Sequence, residues 1–492
     1  MSLKSHISSI KLLTILFGAL SIILYTIMYF LKNTFGHVEI QQIIWNLNQN
    51  NTGADDIFYI IATKYLSISV VAIVALYLIT YKHEKLFVLT FGQSRGLKLS
   101  KYFLCLLLVT SVCYVIGGIN RFSYKTNLYS YFMDNYFPKE FIYDFIKENY
   151  YVPTSDEVTF NNKKNLVIVL IESHEQTYFD KTIDNPLTQK ISSKNTLSIN
   201  HFETASNMNW TISAVTAWHF GMPLKLPFSN FNKYFSSRGF LPNAHSIFSI
   251  FKDHGYKNYL VIGTDKNFSN QDSLFTIHGN FQIFDKNYWI SKGYSLSKFS
   301  GTGMGYNDRF TLDRAKELYA KLIKKGEPFV LFIQMIDGHI PRGWAPKEYN
   351  EYGDVRDSIN YVEDEIVKFV DFIDLNHNKN TALALIGDHL FMGEPKFIEK
   401  AKESHIFNMF YPNDDIISRN EFVKNKNSSN EMIVAIDIAP TLIELGGGKW
   451  KNHQFGLGHS IFSSEKSLIN KYGKEKFSEY MRARSPFYNQ FY

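Results

Sequence analysis

Leu166-Val167-Ile168-Val169-Leu170-Ile171-Glu172-Ser173-His174 is the stretch on which the fold turns. Six apolar residues in a row follow Lys163-Lys164-Asn165 and stop at a carboxylate. A run this short and this uniformly apolar reads as a strand covered on both faces, the pattern of a parallel sheet. Residues 259–262, 329–336 and 382–386 repeat it. Helical periodicity fills the intervals. Leu312, Ala315, Leu318 and Leu322 recur at spacings of three and four, as do Ile359, Val362, Ile366, Phe369 and Ile373. Strand and helix alternating over some 300 residues predict an α/β domain, a mainly parallel sheet with helices on both faces, across residues 161–465.

Open sheets of this kind bind ligands beyond the C-terminal ends of their strands. There the sequence places Glu172-Ser173-His174, Asp337-Gly338-His339 and Gly387-Asp388-His389. One such carboxylate–histidine pair is ordinary turn chemistry, whereas three at equivalent positions converge on one site. Carboxylate oxygens with imidazole nitrogen suit a divalent cation such as Zn²⁺ or Mn²⁺. Thr211, in Asn209-Trp210-Thr211-Ile212-Ser213-Ala214, opens a helix that Gly221 and Pro223 end. By itself Thr211 is a helix cap. Beside a metal it is also a nucleophile at a helix end that favours anions. His174, His201, His219, His245 and His254 read as histidines of the surface or of helices, and Asp437 and Thr441 as caps of a helix after Pro440.

The N-terminal part is of another kind. Residues 12–31, 65–81 and 102–119 are apolar runs with charged flanks, long enough to be membrane spans. Lys82, Lys85, Arg95, Lys98 and Lys101 crowd the segment between the second and third, while Glu39, Asp55 and Asp56 lie between the first and second. The cation bias predicts a cytoplasmic N-terminus and second loop, and three crossings then put everything after Asn120 on the outer side. Residues 86–91 read as a re-entrant or interfacial piece. Residues 121–160, aromatic and with Lys125, Lys139 and Lys147, read as a juxtamembrane linker, and the basic aromatic tail is 466–492. Cys105 and Cys113, the only cysteines, fall in one span and read as packing residues, so the outer domain has no disulfide. A net charge of +6 spread along the chain gives no reason to expect nucleic acid.

The motifs together resemble the alkaline phosphatase/sulfatase superfamily, and within it the membrane-anchored phosphoglycerol transferases, which include lipoteichoic acid synthases and periplasmic-glucan phosphoglycerol transferases. The matching pieces are Asn165 to Ser173, Trp210 to Ala214 with Gly221-Met222-Pro223-Leu224, Gly255-Tyr256-Lys257, His278-Gly279, Asp308, Asp337-Gly338-His339, Gly387-Asp388-His389, Asp437 to Thr441 and Gly456 to Ser460. The resemblance implies that Glu172, Asp388 and His389 hold one metal ion, Mn²⁺ or Zn²⁺ with Mg²⁺ a third option, and that Thr211 is its fourth ligand and the nucleophile. It implies that His339 contacts the transferred phosphate or the departing oxygen. Candidate substrate contacts are Asp265, Asp272, Asp308 and Asp337, although Asp308 also reads as a helix cap and Asp337 as a residue orienting its loop. Ser269 and Gln271 stand where lipoteichoic acid synthases have tryptophan and arginine, and Phe220 replaces a cysteine of the glucan-modifying branch. The implied reaction moves phosphoglycerol from a membrane phospholipid, through a phosphothreonine, to a glycan: a periplasmic glucan, a lipopolysaccharide or a capsule-type polymer. The alternatives are a phosphoethanolamine transferase and a sulfatase-like phosphodiesterase.

Overall fold

The computed structural model describes residues 3–36, 38–48, 56–136, 144–183, 186–191, 196–226, 239–341, 343–375, 380–393, 396–398, 401, 403–411 and 420–492. Asp55 and Lys139 lie outside the described residues. The chain forms two compact units, Met1–Ile40 with Asp56–Phe132 and Gln41–Asp55 with Met133–Tyr492.

In the first unit, helices α1 (Leu3–Phe35), α3 (Asp56–Phe91) and α4 (Gln93–Thr126) pack on one another. All three are long and apolar enough to cross a membrane. Ser69 Oγ donates to Thr26 Oγ1 at 2.9 Å between α3 and α1, and Tyr25 meets Tyr114 of α4 edge-on. Such hydroxyl pairs hold helices together where lipid supplies no hydrophobic drive. Residues 86–91 are not a separate re-entrant piece. They continue α3 to its end, and a turn at Gly92 leads straight into α4. The cations of this segment therefore sit on the helix ends around the turn. Cys105 and Cys113 do not pack, because the buried face of α4 runs through Leu104, Ser111, Val115 and Gly118, and both thiols are exposed beside it.

The second unit is built on a six-stranded sheet of order β4-β3-β5-β1-β6-β7. Its strands are β1 (Asn165–Ile171), β3 (Lys257–Ile262), β4 (Gln282–Phe284), β5 (Phe329–Gln334), β6 (Thr381–Gly387) and β7 (Asn408–Tyr411), of which only β7 runs antiparallel. Every residue of β1 is buried, and its side chains alternate between two cores. Leu166, Ile168 and Leu170 join one cluster, Val167, Val169 and Ile171 the other. That division explains the unbroken apolar run: neither face of the strand meets water. A short parallel pair, β2 (His201–Phe202) and β8 (Met432–Ile433), lies apart from the main sheet.

Two segments join this unit in ways the sequence does not advertise. Helix α2 (Ile40–Asn48), between the first two spans, places the fully buried Trp45 in the first core, against Phe240. The C-terminal residues Phe477, Met481, Tyr488, Phe491 and Tyr492 are buried in the same core. The helix holding Asp437 begins at Ala435, not after Pro440, and contains that proline. Asp437 caps its first turn by accepting Val434 N at 3.0 Å, and its second oxygen accepts His459 N at 2.9 Å.

Candidate metal and nucleophile centre

Because β1 lies between β5 and β6, the chain leaving it emerges between the other two loops. Ile171 is paired with Gly387, so Glu172 and Asp388 come out side by side. Two glycines make the approach possible. A Cβ on Gly387 would lie 2.2 Å from His174 O, and one on Gly338 would lie 2.2 Å from Glu172 O. Only a residue without a side chain lets these backbones interlock. Ser173, at φ 54°, turns the chain so that its N–H donates to Asp388 Oδ1 at 2.9 Å and its hydroxyl to Glu172 Oε1 at 2.8 Å.

Thr211 is the first residue of the helix Thr211–Phe220, and the residues after it in that helix are all buried. Ser213 Oγ accepts Trp210 N at 3.1 Å and fixes the entry turn. Thr211 itself is half-buried, and its hydroxyl donates to Glu172 Oε2 at 3.2 Å and lies 3.3 Å from His389 Nε2. His389 Nε2 is 3.3 Å from Asp388 Oδ2 and 3.5 Å from Glu172 Oε1.

These separations test whether the cluster fits a cation. Ligands about 2.0–2.2 Å from a tetrahedral metal lie ~3.3–3.6 Å from one another. Glu172, Asp388 and His389 offer ligand atoms within 4.8 Å of each other, all buried. Asp388 Oδ2 is buried without a hydrogen-bond partner. His389 Nδ1 faces Leu390 O at 2.8 Å, which fixes the proton there and turns the Nε2 lone pair into the cluster. An orphaned buried carboxylate oxygen and an oriented imidazole are what a divalent ion would satisfy, so the residues fit one.

Electrostatics point the same way. Burial pushes the Glu172 carboxyl up, against the pull of His389, Ser173 and Thr211. Burial and then the neighbouring Glu172 charge push Asp388 up to about 6. Burial lowers His389, but Asp388 and Glu172 outweigh it and hold the ring above its ordinary value. Without a cation two carboxylates in this space resist ionising together.

The other sequence candidates divide by position. His339 is half-buried at the turn after β5, with Nδ1 3.0 Å from Ile340 O and its backbone N–H on Ile336 O. Asp308 and Asp337 are fully buried and grip each other's backbone. Asp308 accepts Ile336 N at 2.7 Å and Asp337 N at 3.0 Å, while Asp337 Oδ2 accepts Asp308 N at 2.6 Å. Their oxygens thus hold the His339 loop on the start of the helix Asp308–Lys325. Asp265 accepts Asn267 N at 2.9 Å and Asn287 Nδ2 at 2.9 Å. Asp272 pairs with Lys266 at 2.9 Å on the surface. His174 is no surface histidine: it is buried, with Nε2 2.9 Å from Glu363 Oε1. Sequence reasoning also passed over Glu175, buried and pushed up to about 7 by burial, whose Oε1 accepts Phe391 N at 2.7 Å. Its place three residues beyond Glu172 was the available signal.

Comparison with known proteins places the chain. The sulfatase family model matches residues 164–448. A phosphoglycerol transferase I from Escherichia fergusonii is 28% identical over 320 residues, 62% of this chain and 40% of that protein. Another, from Xanthomonas campestris pv. campestris, is 29% identical over 261 residues, 51% of this chain and 36% of that protein. The chain thus spans about two fifths of the length of the curated relatives it matches. The crystal structure of a lipoteichoic acid synthase from Listeria monocytogenes has a TM-score of 0.47 at 17% identity, over 64% of this chain and 80% of that one. On the family match, which takes in both Glu172 and His389, this chain belongs to the sulfatase family.

Proposed function

We propose that this chain is a phosphotransferase that moves a phospho-alcohol group, phosphoglycerol from phosphatidylglycerol in the favoured reading, onto a glycan on the outer side of the membrane. The observation that carries it is the Thr211 hydroxyl, held at 3.2 Å from Glu172 and 3.3 Å from His389 at a helix N-terminus. Thr211 Oγ1 attacks the phosphorus of the lipid phosphodiester. An Oγ1–P bond forms, the bond from phosphorus to the diacylglycerol oxygen breaks, and the threonine proton is drawn off along the contact to Glu172. The departing oxygen takes up a proton, for which His339 is the candidate donor. An acceptor hydroxyl then attacks the phosphothreonine: a bond from its oxygen to phosphorus forms, the Thr211 Oγ1–P bond breaks, its proton passes to the His339 left deprotonated by the first step, and Thr211 regains its own from Glu172. Dividing one displacement into two is the gain of covalent catalysis. A divalent ion held by Glu172, Asp388, His389 and Thr211 would supply Lewis-acid stabilisation and lower the pKa of the attacking hydroxyl. The N-terminus of the Thr211 helix is the positive end of its dipole and favours a phosphate there.

Anchoring by three apolar helices suits a lipid donor, since both reactants then share one surface. The outer orientation rests on the cation bias between the spans, and α2 fits it. That segment between the first two spans packs in the catalytic core through Trp45, so it shares the catalytic domain's side of the membrane. The relatives named phosphoglycerol transferase support the headgroup.

The test supplies the detergent-solubilised chain with vesicles of phosphatidylglycerol or phosphatidylethanolamine, with and without a glycan. Diacylglycerol release from phosphatidylglycerol and phosphoglycerol found on the glycan are expected. Turnover of phosphatidylethanolamine instead would reassign the headgroup, and free phosphoglycerol unaffected by glycan would make the chain a phosphodiesterase.

A further inference from the structure

Away from Thr211, a second group of ligating side chains comes together from distant parts of the sequence. His201 opens the short strand β2, and Glu403 and His405 precede β7. Ile406 N donates to Phe202 O at 2.8 Å, which fixes the two segments side by side. His405 is further pinned by its N–H on Thr177 Oγ1 at 3.1 Å and by Gln176 N on its carbonyl at 2.9 Å. The two imidazoles meet edge to face with centroids 4.7 Å apart.

Both rings converge on one carboxylate oxygen. Glu403 Oε2 is 3.5 Å from His405 Nε2 and 3.9 Å from His201 Nδ1, and the three ligand atoms lie within 4.8 Å of one another. Two imidazole nitrogens and a carboxylate oxygen turned toward a common centre are the donor set of a cation site. The spacing is close to the ~3.3–3.6 Å expected between ligands of a tetrahedral ion. Behind the cluster, buried Glu203 places Oε1 2.8 Å from His405 Nδ1, while its other oxygen meets Lys474 Nζ. A carboxylate on the far nitrogen of a ligating histidine sets the tautomer that turns Nε2 toward a metal.

We propose that His201, Glu403 and His405 form a second divalent-cation site, backed by Glu203 and sharing no residue with the Thr211 centre. Two imidazoles and one carboxylate favour Zn²⁺ over Mg²⁺ or Mn²⁺. Three protein ligands leave a coordination position open, and the 68% exposure of the Glu403 side chain puts it at the solvent. The proposal does not depend on the transfer reaction.

Zinc bound to the full chain in detergent, measured by plasma mass spectrometry after equilibration with micromolar Zn²⁺, tests it. The unaltered chain should hold two equivalents, and Asp388→Asn one, left at this site. His201→Ala should also hold one, left at the Thr211 centre. Glu403→Gln alters only an exposed side chain and should weaken one of the two zinc affinities at least tenfold. Glu203→Gln should weaken the same one by about 10–100-fold. A single equivalent in the unaltered chain that Asp388→Asn abolishes would overturn the proposal, as would two equivalents and unchanged affinities in His201→Ala and Glu403→Gln.

Discussion

Asp337→Asn asks how the loop carrying His339 is held. Asp337 is fully buried, Oδ2 accepts Asp308 N at 2.6 Å, and Oδ1 is buried without a hydrogen-bond partner. Burial and then the adjacent Asp308 raise its carboxyl well above the ordinary range, so the folded protein holds this proton more tightly than the unfolded chain does. In the unfolded chain the same group ionises near 3.9. Folding therefore takes up a proton, and stability falls as pH rises above the unfolded value, by about 1.4 kcal/mol per pH unit while the folded group stays protonated. Asparagine has the shape of the protonated acid. Its oxygen can accept Asp308 N, its amide can occupy the place of Oδ1, and nothing titrates. The variant should match the parent near pH 4 and gain on it as pH rises, by at most about 1.4 kcal/mol per pH unit. Melting temperatures of both chains, metal-free and in the same detergent, at pH 5, 6 and 7 read this out. Asp308, pushed by burial up to about 7, titrates together with Asp337, so the difference between the two chains reports the loss of the pair's shared titration. An offset independent of pH would refute the reasoning, because Asp337 would then be ionised in the folded chain.

Other outcomes follow from the same geometry. Thr211→Ala should abolish transfer while leaving the melting temperature close to that of the parent, because the side chain lies half-buried at the open end of its helix. Full activity in that variant would remove the nucleophile. A chelator should stop turnover, and Mn²⁺ or Zn²⁺ should restore it; indifference to chelation would exclude the cation. Ligand carboxylates bind metal ionised, and Asp388 is pushed up to about 6. His389, held above its ordinary value, must shed a proton as well, so affinity at the Thr211 centre, measured by calorimetry, should drop by more than about tenfold per unit as pH falls below 6. Trp45→Ala empties a fully buried site against Phe240 and should cost about 3–5 kcal/mol, seen as a lower denaturant midpoint for the catalytic unit.

Much of the catalytic unit was legible because burial writes itself into strands. A strand covered on both faces must be apolar throughout, so β1, β5 and β6 and the carboxylates at their ends could be read directly. Two things the sequence withheld. Strand order is not encoded in any one strand, and only the placement of β1 between β5 and β6 explains why Glu172, Asp388 and His389 meet. Segments that join a core across long sequence distances carry no local period. Trp45 looks like part of a loop between spans, Tyr488 like part of a tail, and both are buried in the core beneath the sheet. The reciprocal grip of Asp308 and Asp337 was hidden for a similar reason. A carboxylate at a strand end and one at a helix start each suggest a ligand contact, and only their proximity shows that each also holds the other's backbone N–H. The turn at Gly92 was missed because residues 86–91 are apolar enough to stand alone, although the helix simply runs on.

Mass spectrometry of the intact chain tests the phosphothreonine most directly. The protein is incubated with phosphatidylglycerol and no acceptor, quenched in acid and digested. The peptide containing Thr211 should carry the mass of one phosphoglycerol group, lost when a glycan acceptor is added before the quench and absent from Thr211→Ala. Turnover of the lipid with Thr211 unmodified at every time point, or an adduct on another residue that persists in Thr211→Ala, would contradict it.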